Sequence, residues 1–298
     1  MTSFSPLASP SATREGLERH GFNLKKSLGQ NFLVNDAIIG KIIQLAEVGE
    51  DDVVLEVGPG IGTLTHALLA NARAVISIER DPSLPAVLED TLGDFDDRFA
   101  LIEKDALDVF VSDVEGAAKS LGTPMPDKLV ANLPYAVAAT VVLGFIQQFA
   151  SLASMTIMVQ REVAERMMAK PGTKNYGAYT VKLALYATPA DSFAVGPGNF
   201  MPPPHVESTV LRLDRREAPA SPEVVQAACT MADAAFFARR KTIANSCKQY
   251  FSGRDPRIAE LLPAILDSAD VDPKTRGEAL SPEVYVALGR ALAERLTE

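Results

Sequence analysis

Residues 53–65, VVLEVGPGIGTLT, restrict the possible folds of this chain more than any other stretch. Val53, Val54, Leu55 and Val57 form a short, largely β-branched run, the pattern of a strand buried in a parallel sheet. Gly58, Gly60 and Gly62 then turn the chain; they accept positive φ angles and leave bare backbone against which a ligand can lie. TLTHALLANA follows with helical spacing and a threonine able to cap it. Strand, glycine turn and helix make the opening unit of a doubly wound α/β sheet. A tight connection with no ligand would use the same residues. The dinucleotide fingerprint is a close relative, but here the spacing is G-x-G-x-G, with Thr63 where that fingerprint wants Gly or Ala and Pro59 stiffening the turn.

The following strands decide what the turn serves. Residues 74–78, AVISI, form a second buried run that stops at Glu79. In this fold class ligands sit outside the carboxyl ends of the strands, where an acid accepts both hydroxyls of a ribose. Residues 99–103, FALIE, lead to Lys104 and Asp105, with Ala106 beside them; Asp105 can accept from an exocyclic amine such as that of adenine. The run 128–131 leads to Asn132, Leu133, Pro134 and Tyr135: a carboxamide, a rigid backbone and an aromatic face on which a flat base can stack. Any one of these is also the make-up of an ordinary polar turn. Glycine, glutamate, aspartate and asparagine on four strand ends in that order outline a site shaped for adenosine.

The order GPGIG, Glu79, Asp105, NLPY resembles the S-adenosylmethionine-dependent methyltransferases. With KKSLGQNFL at 25–33, FMPPPHVEST at 200–209 and FFARRKT at 236–242, it resembles in particular the ribosomal RNA adenine N6-dimethyltransferases of the bacterial small-subunit (16S) type, over almost the whole chain from Leu24 onward. The resemblance implies a class I, Rossmann-like α/β domain with a seven-stranded sheet, followed by a small all-helical domain. It implies dimethylation of the N6 amines of two adjacent adenines in a hairpin near the 3′ end of 16S rRNA during small-subunit maturation. S-adenosyl-L-methionine is then the cofactor, S-adenosylhomocysteine the product, no metal takes part, and the immature small subunit is the partner of a monomeric, cytoplasmic enzyme. Asn31, Leu33, Gly58, Gly60, Gly62, Glu79, Asp105, Ala106 and Asn132 are implied to hold the cofactor. Asn132, Leu133, Pro134 and Tyr135 are implied to carry catalysis, and Phe200 to lie beside the target base in a sandwich with Tyr135. Lys25, Lys26, Arg161, Arg239, Arg240 and Lys241 are implied to face RNA. Competing readings are a large-subunit rRNA adenine methyltransferase of the antibiotic-resistance type and a ribosome-assembly factor without activity. DNA adenine and protein glutamine methyltransferases usually carry Pro-Pro-Tyr, and Leu133 argues against both.

Composition fits an enzyme of this size. At 298 residues and 47% hydrophobic, the chain can bury a large core. Residues 129–160 carry no charge, but Asn132, Pro134, Gln147 and Gln148 interrupt them, giving two buried strands around a helix rather than a membrane span. No signal-peptide pattern is present, and Cys229 and Cys247, both in the C-terminal part, suit a reduced compartment. The three histidines are scattered, without metal-ligand spacing. A net charge of -9 looks wrong for an RNA-binding protein. Residues 79–115, however, hold twelve acids against three bases and account for the whole excess, whereas residues 239–257 hold six bases against Asp255 alone. A local basic patch is enough to bind RNA.

The remaining expectations follow chain order. Residues 1–22, rich in Ser, Pro and Ala, form a mobile extension; 23–215 form the methyltransferase domain and 216–298 a helical RNA-binding domain. Residues 36–46 form an amphipathic helix, and the Gly and Pro of EGAAKSLGTPMPD mark 115–127 as a loop. Residues 155–159 form a strand followed by a helix over 160–169, and residues 179–186 and 208–213 the last two strands. Ser221-Pro222 and Ser281-Pro282 start helices.

Overall fold

The computed structural model describes residues 3–21 and 31–297. The chain divides into two units that are interleaved in sequence: Met1–Ala164 with Pro189–Arg215, and Glu165–Thr188 with Arg216–Glu298. In chain order the elements are α1 (Pro10–Arg19), β1 (Phe32–Leu33), α2 (Asp36–Ala46), β2 (Val53–Val57), α3 (Thr63–Leu69), β3 (Ala74–Glu79) and α4 (Pro85–Leu92). There follow β4 (Phe99–Glu103), α5 (Val111–Ser120), β5 (Lys128–Asn132), α6 (Ala138–Gln148), β6 (Ser154–Gln160), α7 (Arg161–Met167) and α8 (Ala178–Ala184). The last are β7 (Ala187–Val195), β8 (Phe200–Met201), β9 (Ser208–Arg215), α9 (Pro222–Phe236), α10 (Ile243–Ser252), α11 (Pro256–Ser268) and α12 (Pro282–Thr297).

The first unit holds a seven-stranded sheet in the order β4-β3-β2-β5-β6-β9-β7. Strands β2 to β6 pair in parallel, and β9 runs antiparallel to β6. Every residue of β2 and β3 is buried, which explains their near-continuous apolar runs. The strand order reverses between β2 and β5, so the crevice of a doubly wound sheet opens at the ends of these two strands. The termination of the sheet is also legible in hydrogen bonds: the Arg215 guanidinium donates to the carbonyls of Ile146, Phe149 and Leu152 at 2.5–2.8 Å, satisfying acceptors left open where α6 ends.

Four expectations change. Residues 3–21 are not a featureless extension. Ser9 caps α1 by accepting from Ala12 N, Phe4 N and Ser5 N donate to the Asp36 carboxylate, and Arg19 and His20 both reach Asp90. Thr13, Gly16 and Leu17 are buried, but of these Leu17 alone is a large apolar side chain; it seats this helix beside Phe32, Ile61, Leu84 and Val87, which is why no apolar repeat announced it. Residues 115–120 continue α5 rather than opening a loop: Val114 and Ala118 are buried, the Asp113 carboxylate accepts from Phe110 N and Lys104, and the turn comes only at Gly122, where φ is +64°. Residues 179–186 are not a strand but mostly α8, whose start is fixed when Gly177 N donates to Thr180 Oγ1 and that hydroxyl donates to the Arg166 carbonyl. The strand lies later, as β7, an exposed edge that tolerates Pro189 and polar residues. Finally, residues 165–188 fall outside the expected 23–215 domain and belong with the helices of the second unit.

That second unit is built around Met231, Ile243, Cys247, Phe251, Leu262, Ile265, Tyr285 and Leu288, with Tyr176 and Val181 in the same cluster. Its buried phenols are satisfied by backbone: Tyr176 donates to the Leu280 carbonyl and Tyr285 to that of Gly277. Helices α9 and α12 begin at the expected Ser-Pro pairs. They cross so closely that a Cβ on Gly289 would lie 2.5 Å from Ala228 N and 2.6 Å from the Val224 carbonyl oxygen. Among the described residues, no helix is long and apolar enough to cross a membrane.

Candidate active site

The glycine turn comes first because the sheet delivers it to the crevice. Gly58, Gly60 and Gly62 have φ of +73°, +62° and +85°, conformations that an L side chain rarely adopts. Gly58 N donates to the Ile78 carbonyl, tying the turn to the end of β3, and a Cβ on Gly60 would meet the Phe32 ring at 3.0 Å. Gly58 and Gly60 line a cavity of about 380 Å3; Gly62 lies behind it, against Leu92 and Thr91.

The expected strand ends meet in that one cavity. Its walls include Glu79 and Asp105 with Ala106 from the ends of β3 and β4, Asn132 to Tyr135 from the end of β5, and Asn31 and Leu33 around β1. Glu79 is almost fully buried, and its Oε1 accepts from the backbone N–H groups of Arg80 and Asp81 at 2.8 Å each. Burial holds its carboxyl above the usual range, opposed by these bonds and by one from the Gly60 backbone. Asp105 accepts from Leu107 N through Oδ1 and from Arg80 through Oδ2. A carboxylate has about four acceptor positions, so both acids retain capacity for the hydroxyls and amine of a nucleoside.

At the end of β5 the carboxamide is oriented by its neighbour. Asn132 Nδ2 donates to the Asn31 carbonyl at 3.2 Å, so the amide oxygen is the end left to receive an N–H. Leu133 N donates to the Met158 carbonyl, and Pro134 O accepts from Val137 N and Ala138 N, fixing the backbone that carries Leu133 O. Tyr135 stands half-buried, its hydroxyl 2.7 Å from Ser208 Oγ; burial pushes the phenol pKa up, so the ring stays neutral.

Two wall residues are not among the expected site residues. Glu56, in the middle of β2, is 1% exposed, and its Oε2 accepts from the hydroxyls of Thr65 and Ser77 at 2.7 Å each. Burial, reinforced by the Glu79 charge, pushes its pKa up to about 7. A lone acid inside a β-branched run was the available signal. Thr63 also lines the cavity, and its Oγ1 is buried without a hydrogen-bond partner.

Other expected residues lie elsewhere. Phe200 is 4% exposed and pairs through β8 with Leu33 of β1. It packs in the main core cluster and is not among the residues that line the cavity. Arg161 is exposed and paired with Glu207 at 2.7 Å, one residue beyond the Gln160–Ser208 register pair. Arg239, Arg240 and Lys241 are all exposed; Arg239 is engaged within the second unit by Glu278 and the Lys174 carbonyl, and Lys241 donates to Gln249. Lys25 and Lys26 lie outside the described residues.

The profile of the family described as ribosomal RNA adenine dimethylase matches residues 21–287, nearly the whole chain. The chain belongs to that family. Relatives named ribosomal RNA small subunit methyltransferase A include the protein of Enterococcus faecalis, 38% identical over 293 residues with 98% of each chain covered. Another is that of Clostridium perfringens, 40% identical over 288 residues with 94% of each covered. Among solved structures, a dimethyladenosine transferase from Plasmodium falciparum superposes with a TM-score of 0.69 at 23% identity, covering 86% of this chain and 95% of that one. The 23S rRNA methyltransferase ErmE superposes with a TM-score of 0.62 at 25% identity, covering 88% and 99%. These overlays place the sheet of this family member among the class I methyltransferase folds.

Proposed function

We propose that this chain dimethylates the N6 amines of adjacent adenines near the 3′ end of 16S rRNA, using S-adenosyl-L-methionine, as the small subunit matures. The observation that carries the reading is the Asn132 carboxamide, whose nitrogen donates to the Asn31 carbonyl and so leaves the oxygen as the end to accept from an amine, in the cavity that Gly58 also lines.

The cavity fits the cofactor. Its volume of about 380 Å3 lies within the range of roughly 300–1,000 Å3 usual for ligand sites. In this reading Glu79 accepts the ribose hydroxyls and Asp105, with Ala106, receives the adenine, all three lining the cavity; the unpartnered Thr63 hydroxyl supplies a donor for a polar group of the ligand. S-adenosylmethionine supplies a methyl group on a positively charged sulfur, a leaving group that needs no protonation. The residues of the chain therefore have alignment and water exclusion as their tasks.

The amine of adenine is a poor nucleophile because its lone pair is delocalised into the ring. Asn132 Oδ1 and the Leu133 carbonyl accept its N–H bonds, favouring a pyramidal nitrogen whose lone pair points into the cavity. Transfer of the methyl would leave a strongly acidic N–H held by Asn132 Oδ1 and the Leu133 carbonyl, so its later loss would require no dedicated base. Tyr135 offers its face to the flipped-out base, and stacking of about 1–3 kcal/mol offsets part of the cost of leaving the helix stack. Its hydrogen bond to Ser208 holds the ring in place for this.

The test presents purified protein and isotopically labelled cofactor separately with unmethylated small subunits, with large-subunit RNA and with DNA. Label recovered as dimethyladenosine from the small subunit alone is the expected result. Transfer to large-subunit RNA or DNA instead would overturn it.

A further inference from the structure

Phe237, the residue after α9, is 48% exposed. It meets the Tyr250 ring edge-on, with centroids 5.6 Å apart. The guanidinium of Arg254 lies 4.2 Å from the Tyr250 centroid and 5.3 Å from that of Phe237, and it is tethered by a bond from NH1 to the Tyr250 carbonyl. Two aromatic rings and a planar cation are thus held together at the surface of the helical unit before any ligand arrives. Arg240, Lys241 and Lys248 are exposed in the same stretch of chain, where six bases face only Asp255.

A single exposed phenylalanine would call for no explanation. The comparison within this protein is what gives this one meaning. Phe110 is more exposed, at 64%, but sits between Asp108 and Asp113, in the acidic part of the sequence that repels phosphate. Phe237 couples a half-exposed aromatic ring to cations, the combination that binds single-stranded nucleic acid by stacking and by phosphate neutralisation.

We propose that Phe237, Tyr250 and Arg254 form a stacking platform for an unpaired base of the RNA, with Arg240, Lys241 and Lys248 neutralising adjoining phosphates. The occupant is looped or single-stranded RNA, since the faces of paired and stacked bases are not available to an aromatic ring. This platform rests on the reading of the chain as an RNA-modifying enzyme and adds to it a second point of contact, on a unit separate from the adenine pocket.

The test uses the full chain and fluorescence anisotropy with two labelled probes of equal length, an unstructured RNA and a fully paired RNA duplex. Phe237→Leu keeps apolar bulk and removes the π face; Phe237→Trp keeps both. The expected result is an affinity for the unstructured probe lowered about ten-fold in Phe237→Leu and preserved in Phe237→Trp, with duplex binding unchanged in both. Replacing Arg240 and Lys241 together by alanine should instead weaken both probes and flatten the salt dependence. Equal affinity of Phe237→Leu and wild type for the unstructured probe, or equal loss on both probes, would overturn the platform. Methyl transfer by the wild-type protein is scored separately, so failure of the catalytic reading shows as absent label and failure of the platform as an absent contrast between probes.

Discussion

Replacing Glu56 by glutamine makes a prediction whose size follows from the structure. The carboxyl is 1% exposed, and the two hydroxyls of Thr65 and Ser77 converge on one of its oxygens, which replaces only part of the hydration lost on folding. Moving the group from its ordinary 4.5 to about 7 corresponds, at about 1.4 kcal/mol per pH unit, to roughly 3 kcal/mol of preference for the neutral form in the folded protein. The sign follows from linkage. Below about pH 4.5 the group is neutral in both folded and unfolded chains and stability is unaffected by it. Between about 4.5 and 7 the unfolded chain releases the proton while the folded one keeps it, so stability falls; above about 7 the full cost is present. Glu56→Gln keeps an oxygen for both hydroxyls and removes the titration. Urea unfolding of both proteins at about pH 5 and about pH 8 should show the variant gaining about 2–3 kcal/mol relative to wild type between the two conditions. Other titrating groups are common to both chains and cancel in the difference. A difference that stays flat with pH would refute the argument that this buried carboxyl carries its charge at a cost.

Three further outcomes are expected. Asn132→Ala should abolish methyl transfer in the labelled-cofactor assay while leaving RNA binding largely intact; wild-type turnover would remove the carboxamide from the chemistry. Because burial holds the Glu79 carboxyl above the usual range, cofactor affinity measured by calorimetry should decline on acidification at a higher pH than an ordinary carboxylate would give, and Glu79→Gln should bind weakly with little pH dependence; matching pH profiles would exclude the ribose-binding role. Gly289→Ala should lower stability by roughly 1–3 kcal/mol, because the added methyl meets the backbone of α9, and a melting temperature equal to wild type would show that the two helices can separate cheaply.

The parts of the fold that could be read from the sequence are those where burial and backbone geometry leave little choice. The glycine turn, Glu79 and Asn132 come at the ends of fully or largely buried strands, whose apolar runs mark their own ends, and Asp105 follows the partly buried β4; Gly58, Gly60 and these three side chains line one cavity. Helix α2 is bounded as its apolar spacing indicates. The misreadings share a different cause. Residues 181, 183 and 185 alternate like a strand, yet α8 is set by a hydroxyl network around Thr180 that no periodicity records. The segment 3–21 is held through Leu17 and by Asp36 and Asp90, whose partners are distant in sequence, and α5 carries Gly116 within an otherwise ordinary helix. Phe200 belongs to a proline-rich motif that shows no periodicity, and its pairing with Leu33 and its burial in the core are visible only in three dimensions. Thr63 stands where the dinucleotide fingerprint has Gly or Ala, and its isolated hydroxyl is visible only in three dimensions.

The interleaving of the two units has a consequence for synthesis. Residues 165–188 leave the ribosome well before residues 216–298, whose side chains cover Tyr176 and Val181. Addition of about 5–20 residues per second leaves this hairpin-length segment without its companions for several seconds. The nascent chain therefore carries an apolar debt across the very interval in which the sheet is being completed by its last strand, and neither half can be detached as an independent module by a single cut.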